Sequence, residues 1–158
     1  MDYDYQLIQI APEFFDKYPN PPYREILIKS KRTYNCLLFQ THYDYFICVP
    51  YRSNMTHNNG YHFTSSVRSQ TKKSGLDYSK MLIISDPAMI ADTAAIIDKD
   101  EYIETIQNID SIVNGALRYL EDYIKVHSNS LHISKKNYRI KYGYSSLKYF
   151  HSELGIDT

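Results

Sequence analysis

The sequence predicts an α+β domain: a curled, mostly antiparallel β-sheet packed against a long helix in the C-terminal half, with short helices around it. Two observations carry that expectation. Up to about residue 98 the apolar residues fall in short runs separated by turn residues. The runs are too closely spaced for the crossover helices that parallel strands need. From about residue 100 the period changes, and Ile106, Ile109, Val113, Ala116, Leu117, Leu120, Tyr123 and Ile124 recur at three- and four-residue steps, the stripe of an amphipathic helix.

Residues 5–10 alternate apolar and polar positions and read as a first strand, followed by a short helix over 11–18 that ends at the stiff connector Pro19, Pro21 and Pro22. Residues 23–30 suit either a strand or a short helix; the proline at their entry and the helix formers Arg24, Glu25 and Lys29 favour helix. Residues 34–40 and 43–49 are two apolar runs flanking Thr41-His42, a hairpin or a bulged continuation. The second run stops at Pro50, and the Asn58-Asn59-Gly60 group marks a turn. Residues 61–67 read as a strand and 68–75 as an exposed basic loop. Strands are then expected at 81–85, ended by Asp86-Pro87, and at 93–98. The long helix starts near Lys99-Asp100-Glu101, where acids favour a helix N-terminus, and frays near His127-Ser128-Asn129. Residues 134–144 are basic and aromatic. Residues 145–154 form a terminal helix capped by Ser145 or Ser146 and stopped at Gly155.

With 158 residues, 43% of them hydrophobic and 23% charged, residues 1–158 are expected to form a single domain with its own core. No apolar run approaches the roughly 20 residues of a membrane span, and the acidic start Met1-Asp2-Tyr3-Asp4 lacks a signal-peptide core, so a cytoplasmic location is expected. Cys36 and Cys48 each lie in an apolar run and read as buried thiols in a reducing compartment. The 18 basic residues balance 18 acidic ones, yet the charges are segregated. Arg68, Lys72, Lys73 and Lys80 face only Asp77 in their segment, and Lys135, Lys136, Arg139, Lys141 and Lys148 face no acid at all. A neutral chain can therefore still offer a basic face to a polyanion. The 17 tyrosines, interleaved with those cations, suit RNA, whose splayed bases stack on aromatic rings; they equally suit half-buried positions in strands and helices.

Chemistry is expected just past the strand end, where Arg52, Ser53, Asn54 and His57 cluster. One reading is metal-independent RNA cleavage, in which the substrate's own 2′-hydroxyl attacks the adjacent phosphate. The protein then has to hold the backbone in line, stabilise the phosphorane and assist proton transfers. Arg52 suits the charge role through paired donors to phosphate oxygens, Ser53 and Asn54 add neutral donors, and His57 offers an imidazole for proton transfer. Each of these residues is also ordinary at a surface turn. No Gly-x-Ser-x-Gly elbow surrounds Ser53, and no Gly-rich phosphate loop occurs.

Three stretches carry a resemblance: Tyr34-Asn35-Cys36-Leu37-Leu38-Phe39, Tyr45-Phe46-Ile47-Cys48-Val49-Pro50-Tyr51-Arg52-Ser53-Asn54 with His57-Asn58 after it, and Gly75-Leu76-Asp77-Tyr78-Ser79-Lys80. Together they resemble the toxins of type III toxin–antitoxin systems, the ToxN, AbiQ, TenpN and CptN groups, with the CptN and TenpN branches nearest. The likeness spans most of the chain. It implies a sequence-selective endoribonuclease toxin of a phage-resistance or plasmid-maintenance system, with a curled-sheet core similar to the MazF and Kid toxins. Such a toxin leaves 2′,3′-cyclic phosphate ends, needs no metal or cofactor, cuts its own RNA antitoxin precursor and is held inactive by the bound pseudoknot in two-by-two or three-by-three assemblies. In the ToxN group the matching strand end carries Thr-Ser-Pro-Lys; Ser53 matches, whereas Arg52 stands at the Thr and Met55 at the Lys. The catalytic cation is then Arg52, Lys80 or a loop lysine. The expected catalytic set is Arg52, Ser53, Lys80 and His57, of which His57 has no counterpart in that motif and enters from the residue reading alone. The implied RNA-binding set is Tyr51, Asn54, Asn58, Arg68, Lys72, Lys73, Tyr78, Lys31 and Arg32. A non-catalytic RNA-binding repressor is the alternative, and a protein-interaction domain built on an exposed Ile106 to Ile124 stripe is a third.

Overall fold

The computed structural model describes residues 3–27 and 33–157. Seven strands form one open sheet: β1 (Asp4–Ile10), β2 (Asn35–Gln40), β3 (Phe46–Arg52), β4 (Gly60–His62), β5 (Gly75–Asp77), β6 (Leu82–Ile84) and β7 (Ile90–Ala94). Their order is β4-β5-β3-β2-β1-β7 with β6 also on β3, and every pairing among the described residues is antiparallel. The helices are α1 (Pro12–Lys17), α2 (Val67–Lys72), α3 (Lys99–Gln107), α4 (Ile109–His127), α5 (Lys135–Tyr142) and α6 (His151–Leu154). The architecture is thus the α+β arrangement expected, and no helix of the described residues is long and apolar enough to cross a membrane.

β2 and β3 are the middle of the molecule. Their apolar runs are buried along nearly their whole length, which is why they lack the polar alternation of a half-exposed strand. β3 does not stop at Pro50; it continues to Arg52 because distant residues give it a second partner. β6 pairs with it opposite Phe46 to Cys48 and β5 opposite Tyr51 and Arg52. Pro50, which has no N–H to give to a ladder, sits at the handover. The sheet therefore forks here, and the fork sets Arg52 beside β5.

Several other expectations shift. Val67 does not continue a strand, and residues 68–75 are no loop: Ser66 caps α2 by accepting from the Ser69 N–H at 3.0 Å, and β4 is only three residues long. The strand expected at 93–98 lies earlier, as β7, because its register is set by β1 through a bulge between Ile8 and Ile10. Residues 23–27 form turns instead of a helix, and the rest of that segment, 28–30, lies outside the described residues. The single long helix is two. Asn108 turns its side-chain amide back to the Glu104 carbonyl at 2.8 Å, ending α3, while its own carbonyl accepts from Ile112 N–H to begin α4.

α4 buries Ile112, Val113, Ala116, Tyr119, Leu120 and Tyr123 along one stripe. That places the stripe in the core and removes the protein-interaction reading. Tyr18, Tyr34, Tyr45, Tyr51, Tyr78, Tyr119, Tyr123 and Tyr142 are also core residues, so much of the tyrosine excess is interior packing. Ser145 caps the last segment and Gly155 ends it in the left-handed conformation, at φ 71°, as expected.

Candidate functional site

The fork is centred on Asp77, the last residue of β5, whose side chain is completely buried. One carboxylate oxygen, Oδ2, accepts from Arg52 Nη1 at 2.7 Å and lies 3.0 Å from His57 Nε2; the other, Oδ1, accepts from the Ser79 N–H at 2.9 Å and hydroxyl at 2.6 Å. Burial alone pushes this carboxyl up, but the hydrogen bonds from His57, Ser79 and Arg52 outweigh it and hold it below the ordinary aspartate value. The aspartate is thus an ionised anchor that turns Arg52 and His57 toward one side of the sheet.

His57 is fully engaged. The Asn59 N–H donates to its Nδ1 at 3.0 Å, which assigns the ring proton to Nε2 and makes that nitrogen the donor to Asp77. With both nitrogens used, His57 is a strut between the turn and the anchor, and the general acid–base role expected of it has no vacant nitrogen to act through. Arg52 differs. Its side chain is 30% exposed, and only Nη1 has a partner among the described residues, which leaves its remaining N–H groups without one there.

Lys80 follows in a short 3-10 turn and is almost entirely buried. Its ammonium donates to the Tyr144 carbonyl at 2.6 Å. Burial lowers its pKa, and the charges of Asp77 and Arg52 act on it in opposite directions. Lys80 therefore belongs to the same electrostatic cluster as Arg52 and Asp77, reached from the C-terminal side of the molecule.

A second buried acid organises the other flank. Glu101 of α3, fully buried, accepts from Arg68 Nη2 at 2.7 Å, from Ser66 Oγ at 2.9 Å and from Ser74 Oγ at 2.5 Å. Arg68 also donates to Ser53 Oγ at 2.8 Å. Neighbouring Asp100 caps α2 by accepting from Val67 N–H at 2.9 Å. Glu104 accepts from Thr64 N–H, from the Ser65 N–H and hydroxyl and from Tyr61 hydroxyl. Three acids in the first two turns of α3 thus hold residues 61–74 against the site, which explains how a helix of ordinary propensity forms over α2.

The backbone closes the arrangement. Asn54 N–H donates to the Lys72 carbonyl and Met55 N–H to the Lys73 carbonyl, so Lys72 and Lys73 lie directly beside the turn that carries Ser53, with both side chains exposed. Asn54 and Lys73 hold left-handed backbones, φ 57° and 48°. Met55 is fully buried: its Sδ and Cε pack where a Cβ on Gly60 would stand, and its Cε where a Cβ on Gly75 would stand. Met55 accordingly faces the core and leaves no place for a cation at that position.

Of the residues singled out from sequence, Arg52, Ser53, Asn54, His57, Arg68, Lys72, Lys73 and Lys80 converge on the fork. Asn58 is exposed on the adjoining turn. Tyr51 and Tyr78 do not face it: Tyr51 pairs its hydroxyl with Thr105 Oγ1 and Tyr78 donates to the Ile112 carbonyl, both rings in the core where no base can reach them. Lys31 and Arg32 lie outside the described residues. Asp77, Ser79, Glu101 and Glu104 were missed. An acid embedded in Leu76-Asp77-Tyr78 with serine two residues on is the one local signal that marked Asp77; nothing local marks Glu101, whose partners are 27 to 35 residues away. No family model, curated protein or solved structure matches the chain.

Proposed function

We propose that the chain is a metal-independent endoribonuclease, the toxin of a type III toxin–antitoxin pair, acting in the cytoplasm on cellular RNA and restrained by a repeat-derived RNA pseudoknot that it processes. The observation that supports this most is Arg52: a guanidinium fixed on one side by buried Asp77 and open on the other, flanked by the exposed cations Lys72 and Lys73. A phosphate seated there would receive the remaining N–H groups of Arg52 and the hydroxyl of Ser53, whose oxygen already accepts from Arg68. In the reaction the 2′-oxygen forms a bond to phosphorus and loses its proton, the bond from phosphorus to the 5′-oxygen breaks, and that oxygen takes up a proton. A cyclic phosphate and a 5′-hydroxyl result. Lys80, with its lowered pKa, is the titratable group of the cluster closest in character to a proton carrier.

The test is incubation of purified protein with RNA transcribed from the region immediately upstream of its gene, in the presence of a chelator. Fragments ending in 2′,3′-cyclic phosphate, lost in Arg52→Ala, support the proposal; intact RNA with both proteins overturns it. One observation favours the second reading, a non-catalytic RNA-binding repressor: both nitrogens of His57 and the ammonium of Lys80 are already bonded. Tight binding without cleavage would select it.

A further inference from the structure

The C-terminal segment reaches the fork. Asn59, on the turn beside His57, donates its side-chain amide to the Ile140 carbonyl at 3.3 Å, and Lys80 reaches the Tyr144 carbonyl. Residues 140–144 therefore form a wall of the site from a part of the chain well over fifty residues away in sequence. α5 divides into two faces. Tyr142 turns inward onto Tyr123, with ring centroids 5.0 Å apart, and Tyr138 packs on Tyr142 at 5.4 Å. Lys135, Lys136 and Arg139 turn outward, exposed and without an acidic partner among the described residues, whereas Lys141 is paired with Asp122. Lys135 and Arg139 are one helical turn apart and so lie on one line. Just beyond them Tyr144 is 77% exposed, an unusual state for a ring in a chain that buries so many of its tyrosines.

We infer that this wall binds single-stranded RNA running out of the fork: Tyr144 stacks on the base next to the phosphate held by Arg52, and Lys135, Lys136 and Arg139 follow the backbone beyond it. The inference rests on the proposed RNA function and adds its track and direction. An exposed ring beside three unpaired cations is the combination that sequence-tolerant single-strand binding requires, since every base offers a face and every nucleotide a phosphate. Cations alone would suit any polyanion; the ring selects a nucleic acid whose bases are unstacked.

The experiment uses the full chain and a mixed-sequence, 2′-O-methylated single-stranded RNA, which binds without being cut, alongside cleavage of unmodified RNA. Tyr144→Ala is expected to weaken binding roughly 5- to 100-fold, with Tyr144→Phe close to the parent. Joint replacement of Lys135, Lys136 and Arg139 by Ala is expected to lower the slope of log affinity against log salt by about 2. These side chains are exposed, and unchanged thermal unfolding verifies that each variant folds. If the parent binds and cuts RNA while all the variants match it, the wall is wrong and the fork's function stands. If the parent neither binds nor cuts, both fall.

Discussion

Arg52 Nη1 and Asp77 Oδ2 lie 2.7 Å apart, with the carboxylate fully buried and the guanidinium side chain still 30% exposed. The asymmetry decides what the pair does. A buried acid needs all its acceptor sites filled, and here His57, Ser79 and Arg52 fill them. The arginine needs only one of its donors to do so.

Removing the anchor is therefore expected to cost more than removing the arginine. Asp77→Ala strips partners from Arg52, His57 and Ser79 at once and is expected to lower stability by about 3 kcal/mol, measured by urea denaturation at neutral pH. Arg52→Ala leaves the carboxylate with His57 and Ser79 and is expected to unfold at a denaturant concentration closer to that of the parent.

On RNA the order reverses. Arg52→Ala is expected to reduce single-turnover cleavage by about 10²- to 10³-fold, the usual loss when a donor to transition-state charge is removed. Arg52→Lys keeps the charge but cannot bond Asp77 and also present paired donors, so it is expected to recover little of the rate. A rate equal to the parent's in Arg52→Ala would remove Arg52 from the chemistry, and one in Arg52→Lys would show that a single charge suffices there.

The lowered pKa of Asp77 fixes a pH dependence. Because the folded carboxyl titrates below its unfolded value of about 4, its stabilising contribution is complete above that value and is lost as pH falls through the folded one. The stability difference between the parent and Asp77→Asn is expected to be constant from neutral pH to about 5 and to shrink in stronger acid. Lys80 acts at the other end of the scale. Burial lowers its folded pKa, so the unfolded chain holds more protons between that value and about 10.4, and the parent is expected to gain stability relative to Lys80→Met as pH rises through that window.

Gly75→Ala tests the close approach at the fork. A Cβ there would stand 2.4 Å from the Tyr61 carbonyl oxygen and 2.4 Å from Met55 Cε. The methionine end can move and the backbone oxygen cannot, so trimming Met55 to alanine is expected not to rescue the variant. A loss of about 1–3 kcal/mol is expected in denaturant unfolding.

Glu101→Ala releases Arg68, Ser66 and Ser74 together. Trypsin digestion under native conditions is expected to cut the variant at Arg68, Lys72 or Lys73 well before the parent, whose α2 is held from α3.

The sequence made the fold class legible through two periods, the short runs ahead of residue 98 and the stripe of α4, because both follow from which faces are buried. It made the fork's location legible through Pro50 and the cluster after it. It hid what depends on partners far along the chain. The extension of β3 to Arg52 needs β5, and the helix at Val67–Lys72 needs Asp100. The break at Asn108 was masked by Ile106 and Ile109, which keep a helical step across it. The inward turn of Tyr51 and Tyr78 could not be read either, since an aromatic in a strand or turn faces whichever side its neighbours leave dry. The RNA-binding role expected of those two residues was therefore lost to the core.

α2 shows how the chain divides constancy from change. The bonds that fix it come from its own backbone, from residues 64–69, from the acids of α3 and from the turn at Ser53 and Asn54, and none of its side chains is buried. Its last exposed positions, Thr71 and Lys72, and Lys73 after them, carry no structural duty through their side chains. They can drift under selection without disturbing Asp77 or Arg52. Substitution at this rim therefore changes the charge presented beside Ser53 and leaves the buried acids Asp77 and Glu101 with all their partners.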